Sequence, residues 1–459
     1  MLSIDSDLGR HLTLGNYILD NRIIPTRDIF SHTLTNQPRP PYEWLAQILF
    51  AISNNLLALD GVILLTALLI SASIGIVFLQ SFRRSRSPLI ALLVSFLAAA
   101  ATSIHWLPRP HVVTFILLGL WVNELERLRA QEKTNLFVFP FLMLFWANLH
   151  GGFIFGFLAL GAYFGGWAWE ARKKEIKRET GKSLFMAGIL SLAASILTPG
   201  LWRNWEAVLN NRSAFILSRT VETMPPDFSN PSVMPFAMLL VLAVILAFAN
   251  RRDLPASHVL LLAGLGLISV LMARNIPLFA IVCAPILAVW VSKVLNRLNT
   301  WKNIEARFAF LDKPIQFSLI PILVVAISAG YFKYSHANGR EIYQFNPQVF
   351  PVHAVDWLET HPMEGNMFNE FNWGGYLLFR RWPRELVFLD SQTDFYGEEL
   401  VRDYETIVLA QDQHESLLNK YNVDWVIISV QSPLASTLTS DTDWLIAYQD
   451  SVAIILYRR

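Results

Sequence analysis

The chain has 459 residues, of which 53% are hydrophobic and only 16% charged, with 15 Trp and 31 Phe. That balance is too apolar for an ordinary soluble protein and fits one that crosses a membrane several times. A formal net charge of +1, with no basic run interleaved with aromatics, argues against nucleic acid as a partner, and the lone Cys283 excludes a disulfide framework or a thiolate metal site.

Residues 1–47 are polar and carry Asp5, Asp7, His11, Asp28 and His32. Leu8, Leu12, Tyr17, Ile18 and Leu19 form a loose helical stripe from about residue 7 to 20. Asp7 and His11, four apart, share a face of that helix. A simpler role for Asp5 or Asp7 is to cap the helix N-terminus, where a carboxylate satisfies free backbone donors. Ile24 to Ser31 reads as a turn and a second capped segment, and Tyr42-Glu43-Trp44 brings amphipathic residues to the membrane interface. An exported N-terminus ordinarily follows a signal peptide or a span, and this stretch contains neither, so either the first span inserts unaided or, as favoured here, a helix upstream of residue 1 is expected.

Ten apolar segments follow, at roughly 56–80, 88–106, 111–126, 134–149, 152–169, 183–198, 233–249, 256–273, 276–294 and 315–332. Alternate connections carry Arg83-Arg84-Ser85-Arg86, Arg127 to Lys133, Arg172 to Arg178, Arg251-Arg252 and Lys293 to Arg307. Enrichment in Lys and Arg marks these as cytoplasmic. The other connections then face outward, together with both termini. They hold His105, Arg109 and His111 around two prolines, Asn148 and His150 before Gly151-Gly152, and Arg274-Asn275 interrupting an apolar run. A charge at membrane depth is costly enough to suggest function. The plainer reading is that each such residue sits at headgroup level, where Arg, His and Trp are at home. It loses force because all these clusters fall on one side.

Residues 333–459 differ in composition and read as a small α/β domain. Met367 to Phe371, Leu386 to Leu389 and Trp425 to Ser429 are predicted strands, with helices at Ala354 to Thr360, Glu398 to Leu409 and Gln413 to Tyr421, and a final hairpin of Trp444 to Tyr448 with Val452 to Tyr457. The loops Asn369 to Tyr376 and Asp390 to Gly397 fall just after strands, the usual place for ligand contacts. Their glycines serve equally as tight turns.

Asp5-x-Asp7 with His11-Leu12 and Gly15, Ile24-Pro25-x-x-Asp28-x-Phe30-Ser31, Trp146 to Gly152, and Trp373-Gly374-Gly375-Tyr376 with Asp390 resemble bacterial multi-spanning glycosyltransferases of the GT-C type. That superfamily includes protein O-mannosyltransferases and the oligosaccharyltransferase catalytic subunit. The resemblance implies a membrane all-α multi-spanning bundle followed by a small extracytoplasmic α/β domain, in a bacterial inner membrane. It implies transfer of a sugar from a polyprenyl-phosphate donor to a glycan, lipid or protein acceptor, with catalysis assigned to Asp5 and Asp7. The partition expected is an extracytoplasmic acidic loop 1–47, a transmembrane domain 48–332 and an extracytoplasmic domain 333–459.

The chemistry of the residues agrees with that assignment. A carboxylate takes the acceptor hydroxyl proton, with Asp7 as base and Asp5 positioning the acceptor or an ion. The leaving phosphate calls for cationic donors, supplied by Arg109 or Arg274. His11, Asp28, His105, His111, Asn148 and His150 complete the candidate substrate-binding set. A divalent cation is compatible with the carboxylates, although no His/Asp spacing is specific for one. The competing classes are a transporter, flippase or scaffold for lipid-linked glycans, and a glycan polymerase or ligase.

Overall fold

The computed structural model describes residues 5–173, 177–210, 213–312 and 343–459. Helix α1 (Leu8–Asn21) precedes a helical bundle of α2 (Trp44–Ser85), α3 (Pro88–Thr102), α4 (His111–Arg129), α5 (Val138–Leu149), α6 (Ile154–Arg172) and α7 (Arg178–Ile196). After the short α8 (Arg203–Asn210) and α9 (Ala214–Leu217), the bundle continues with α10 (Met234–Ala249), α11 (Ala256–Leu271), α12 (Ile276–Leu295) and α13 (Asn299–Asp312).

Nine of the ten expected spans fall on helices, and the tenth, 315–332, lies outside the described residues. Among the described residues five helical stretches are long and apolar enough to cross a membrane: Trp44–Ser85, Pro88–His105, Gly151–Arg172, Pro231–Ala249 and Ala273–Leu295. Helices α5 and α11 are apolar but have only 12 and 16 residues, short of the roughly 20 that a span requires. Helix α4 ends in Glu124, Glu126, Arg127 and Arg129, and α7 begins with Arg178, Glu179 and Lys182. The chain is a multi-pass membrane protein with this mixture of long and short helices.

Helix α12 packs against α2, α3, α4, α10 and α11. Its residues from Ile276 to Ala288 are buried without interruption, as expected of a helix that is apolar all round. Helix α2 breaks at Leu57 and Ala58, where Ala58 takes φ 52° and ψ −152°. The first expected span begins at this break, and the preceding segment, which starts at Trp44, forms the floor on which α1 lies.

The C-terminal sheet has the order β1-β2-β4-β3, from β1 (Asn366–Asn369), β2 (Val423–Ser429), β3 (Trp444–Gln449) and β4 (Ala453–Arg458). β1 runs parallel to β2, and the other pairings are antiparallel. The two-residue period of a strand sends successive side chains to opposite faces. Trp425, Ile427 and Ile455 therefore join one core, and Val426, Ile428, Ile454 and Leu456 join another. The strand expected at Leu386 to Leu389 is not part of this sheet. Val387 instead pairs with the N-terminal stretch: its N–H donates to Phe30 O (3.0 Å), and its carbonyl accepts from His32 N–H (3.1 Å). The first of the two cores likewise mixes Leu8, Leu12 and Phe30 with Trp373, Tyr376 and Trp425.

Two glycines allow this union of the chain's ends. A Cβ on Gly9 of α1 would lie 2.2 Å from Gly375 O, and one on Gly375 would lie 2.1 Å from Ser6 O. Only backbone fits in that crossing. Gly9→Ala is expected to cost about 1–3 kcal/mol by forcing the two helices apart, whereas Gly75→Ala, which meets nothing within 4 Å, costs nothing. Thermal unfolding of the two variants in detergent checks this; equal midpoints would contradict the close docking.

Candidate functional site

Arg109 lies between α3 and α4 in Leu107-Pro108-Arg109-Pro110, where the prolines and a backbone bond from its N–H to Leu107 O (2.8 Å) fix its direction. Its Nε donates to both oxygens of Asp5 at 3.0 and 2.9 Å. One Nη lies 2.8 Å from Asp7 and donates to Glu222 at 2.7 Å. Three carboxylates from two separate stretches thus share one guanidinium, whose side chain is only 20% exposed.

Asp7 occupies the N-cap position of α1 but makes no side-chain cap bond. Its carboxylate faces Arg109, Arg10 (3.6 Å) and the Ser391 hydroxyl instead. Capping therefore does not account for it. Burial opposes its charge but is outweighed by Arg109 and Arg10, which hold Asp7 well below the usual carboxylate range. Glu222 is held at about 2 against burial by the His105 hydrogen bond and Arg109. Asp5 moves the other way: burial raises it, and the charge of Asp7 adds to the effect despite Arg109. Asp5 accepts the Asp7 backbone N–H at 2.9 Å.

A second group of charges links this centre to the C-terminal unit. Arg10 bonds Gln392 at 3.2 Å and lies 3.7 Å from Asp390. Arg39 holds Asp28 (2.6 Å), Asp390 (3.3 Å) and Gln392, and Tyr42 donates to Asp394 at 2.9 Å. Asp28 also accepts from the backbone N–H and hydroxyl of Ser31 at 2.9 and 2.7 Å. Its oxygens are taken up within the fold, and it carries the turn rather than facing the centre.

The histidines ring Arg109 and Glu43. His105 Nε2 is 3.4 Å from Glu222, and His111 Nε2 bonds the His105 carbonyl at 2.8 Å. Gly152 N–H donates to His150 Nδ1 at 3.0 Å, which leaves the proton on Nε2, 3.8 Å from Glu43. A Cβ on Gly152 would lie 2.6 Å from Thr114 Oγ1, so the glycine permits this approach. Burial and the nearby Arg274 lower His150 to about 3. His11 is buried beside Gln47 and 3.9 Å from Glu43, and burial holds it neutral. Asn148 joins helix ends instead, accepting from Trp44 Nε1 (2.7 Å) and donating to Leu144 O and Leu197 O. Arg274 is exposed and has no hydrogen-bond or ion-pair partner among the described residues. Its turn packs on that of Glu222, with Ala273 N–H donating to Met224 O at 2.9 Å.

Glu222, Glu43, Arg10, Arg39 and Gln392 belong to this site but do not stand out in the sequence. Glu222 is one acid in a long connection, and Arg10 and Arg39 reach the C-terminal unit through partners more than 350 residues away. Among the described residues no three His, Cys, Asp or Glu side chains are gathered as a metal cage. The three carboxylates converge on a guanidinium.

No protein-family model matches the chain, and no curated protein matches its sequence. Solved structures do match its fold. The archaeal oligosaccharyltransferase AglB from Archaeoglobus fulgidus, in complex with an inhibitory peptide and a dolichol-phosphate, is 14% identical with a TM-score of 0.64, over 94% of this chain and 66% of that one. The same organism's oligosaccharyltransferase in the apo form gives 14% identity and a TM-score of 0.61, over 93% and 66%. ArnT from Cupriavidus metallidurans bound to undecaprenyl phosphate gives 12% and 0.47, over 99% and 95%. This chain thus shares the fold of the oligosaccharyltransferase chains and spans just under two thirds of their length.

Glu43 provides a test of the site's electrostatics. Burial, with Asp7 and Asp394 nearby, raises it to about 7 although Arg10 opposes. A carboxyl raised in the folded state contributes full stability below its unfolded value, and that contribution is lost as pH rises through the folded value. Glu43→Gln, always neutral, should therefore raise the melting midpoint at about pH 8 by the equivalent of about 2–3 kcal/mol and leave it unchanged at about pH 4. Melting curves across that range check the sign, and a variant less stable at the higher pH would contradict it.

Proposed function

We propose that the chain is a membrane glycosyltransferase that moves a sugar from a polyprenyl-phosphate donor to an acceptor hydroxyl on the extracytoplasmic face of a bacterial inner membrane. The stretch 1–47 and the C-terminal unit 333–459 both lie on that face in this reading. The observation that carries it is the contact of Asp7 with Arg109 at one end of a GT-C-like fold, where the turn of the exposed Arg274 packs on that of Glu222 and His150 packs against His111. AglB is a glycan transferase by name and was solved with a dolichol-phosphate, which supports the donor class.

Asp7, with 14% of its side chain exposed against 0% for Asp5, is the carboxylate that reaches an acceptor. It stays ionised through the neutral range, orients the hydroxyl by accepting its hydrogen bond, and takes its proton. The acceptor oxygen bonds to the anomeric carbon as the bond from that carbon to the phosphate oxygen breaks. The polyprenyl phosphate leaves with the electron pair. Arg274 is the cation for that phosphate, because Arg109 is already committed to three carboxylates. Asp5 fixes Arg109, and His111 and His150, both neutral, offer uncharged contacts to sugar or phosphate. An apolar groove of about 530 Å³ lined by Trp44, Leu45, Leu144, Phe145 and Leu197, with Asn148 on its wall, receives the prenyl chain.

The test is transfer of labelled sugar from polyprenyl-phosphate donors in membranes. Asp7→Asn should lower turnover by about 10²–10⁴-fold with donor binding retained. Arg274→Gln should weaken the apparent affinity for donor by about tenfold or more, as expected when a charge-assisted bond is lost. Unchanged turnover in Asp7→Asn would remove that residue from the mechanism. Absence of transfer with every donor would favour a transporter or scaffold.

A further inference from the structure

At the end of the bundle opposite Arg109, an open cavity of about 880 Å³ lies between α2, α4 and α12, with His258 of α11 on its wall. Helix α4 connects the two ends: His111 begins its 19 residues beside Arg109, and Arg129 ends them at this cavity, about 27 Å away along the axis. The cavity is therefore separate from the site described above.

Its lining holds five arginines (Arg83, Arg84, Arg86, Arg127 and Arg129) and three glutamates (Glu124, Glu126 and Glu132). The glutamates are all committed. Glu126 is buried and held by Arg129 (3.1 Å), Arg84 (3.8 Å), His258 Nε2 (2.7 Å) and the Tyr163 hydroxyl. Glu124 and Glu132 pair with Arg127 at 3.0 and 3.4 Å. Three of the five arginines thus have carboxylate partners. Arg83 and Arg86 are exposed and have no anionic partner among the described residues. Behind them the wall is apolar, formed by Ile286 and Val289 of α12, and His258 Nδ1 is buried without a hydrogen-bond partner.

We infer that this cavity is a binding site for a phosphate headgroup, with Arg83 and Arg86 bonding the phosphate oxygens and the Ile286/Val289 wall taking the adjoining apolar atoms. A guanidinium fork matches phosphate geometry, and a free pair of forks beside apolar surface suits an amphiphile better than a sugar or a metal ion. Charge alone would place arginines at this end of a membrane helix. A solvated basic rim of that kind needs neither a walled cavity nor a fixed Glu126-Arg129-His258 floor.

The test uses the full purified chain in detergent, with thermal unfolding and native mass spectrometry in three additions: phosphatidylglycerol, phosphatidylcholine and inorganic phosphate. Phosphatidylglycerol should raise the melting midpoint and be retained, with phosphatidylcholine giving a weaker effect. The double variant Arg83→Gln/Arg86→Gln should bind it at least tenfold more weakly, while Arg127→Gln, whose charge is already paired, should bind it as the wild type does. Because Arg83 and Arg86 are exposed, the double variant should keep the wild-type midpoint without added lipid. Equal effects of inorganic phosphate and phosphatidylglycerol, both lost in the double variant, would support the site and assign it to free phosphate. Equal retention of phosphatidylcholine and phosphatidylglycerol, or undiminished binding by the double variant, would overturn the inference.

Discussion

A guanidinium shared by three carboxylates, one buried and two half-buried, is the constraint around which this protein is arranged. Taking a charge out of water costs several kcal/mol unless it is paired in good geometry. Arg109 cannot therefore be buried at the head of the bundle unless Asp5, Asp7 and Glu222 come to it. Residues 5–7 precede α1, and Glu222 lies between α9 and α10. Satisfying one cation fixes both stretches against the connection between α3 and α4. Arg10 and Arg39 repeat the logic one layer out, drawing Asp390 and Gln392 onto the same end.

The apolar packing follows the same map. Leu8, Leu12 and Phe30 enter a core with Trp373, Tyr376 and Trp425, and the Gly9–Gly375 crossing lets α1 sit against the helix Gly374–Arg381. The ends of the chain thus build one unit, and its core also takes in Phe50 and Val62 of α2. Dispersion and burial supply the bulk of the stability there. The ion pairs supply its geometry, because each buried charge there has an opposite partner at a fixed place.

The parts of this account that were legible in the sequence are those encoded locally. The stripe from Leu8 to Ile18 gave α1, the apolar runs gave nine helices, and the hairpin at Trp444 to Tyr457 gave β3 and β4. Asp5, Asp7, Arg109, His105, His111 and His150 could be gathered from the rule that alternate connections share a side, and the fold brings them together. What could not be read depends on long-range pairing. Leu386 to Leu389 has strand composition, yet its partner is Phe30 to His32 and not the sheet. Asp28 stands in a stretch that resembles transferase sequences, and the fold uses its oxygens to close a turn and meet Arg39. Glu222 and Glu43 had no spacing to mark them. Their importance comes from burial beside other charges, which only the tertiary fold creates.

The most direct test of this account is a double-mutant cycle between Arg109 and Asp7, read by chemical unfolding in detergent. If the shared guanidinium organises this end of the molecule, Arg109→Gln alone leaves Asp5, Asp7 and Glu222 without their common cation and destabilises strongly. The double variant with Asp7→Asn should then be more stable than the sum of the two single changes by about 1.5 kcal/mol or more. Strict additivity, within about 0.5 kcal/mol, would mean that the two side chains do not depend on each other, and the central claim would fail.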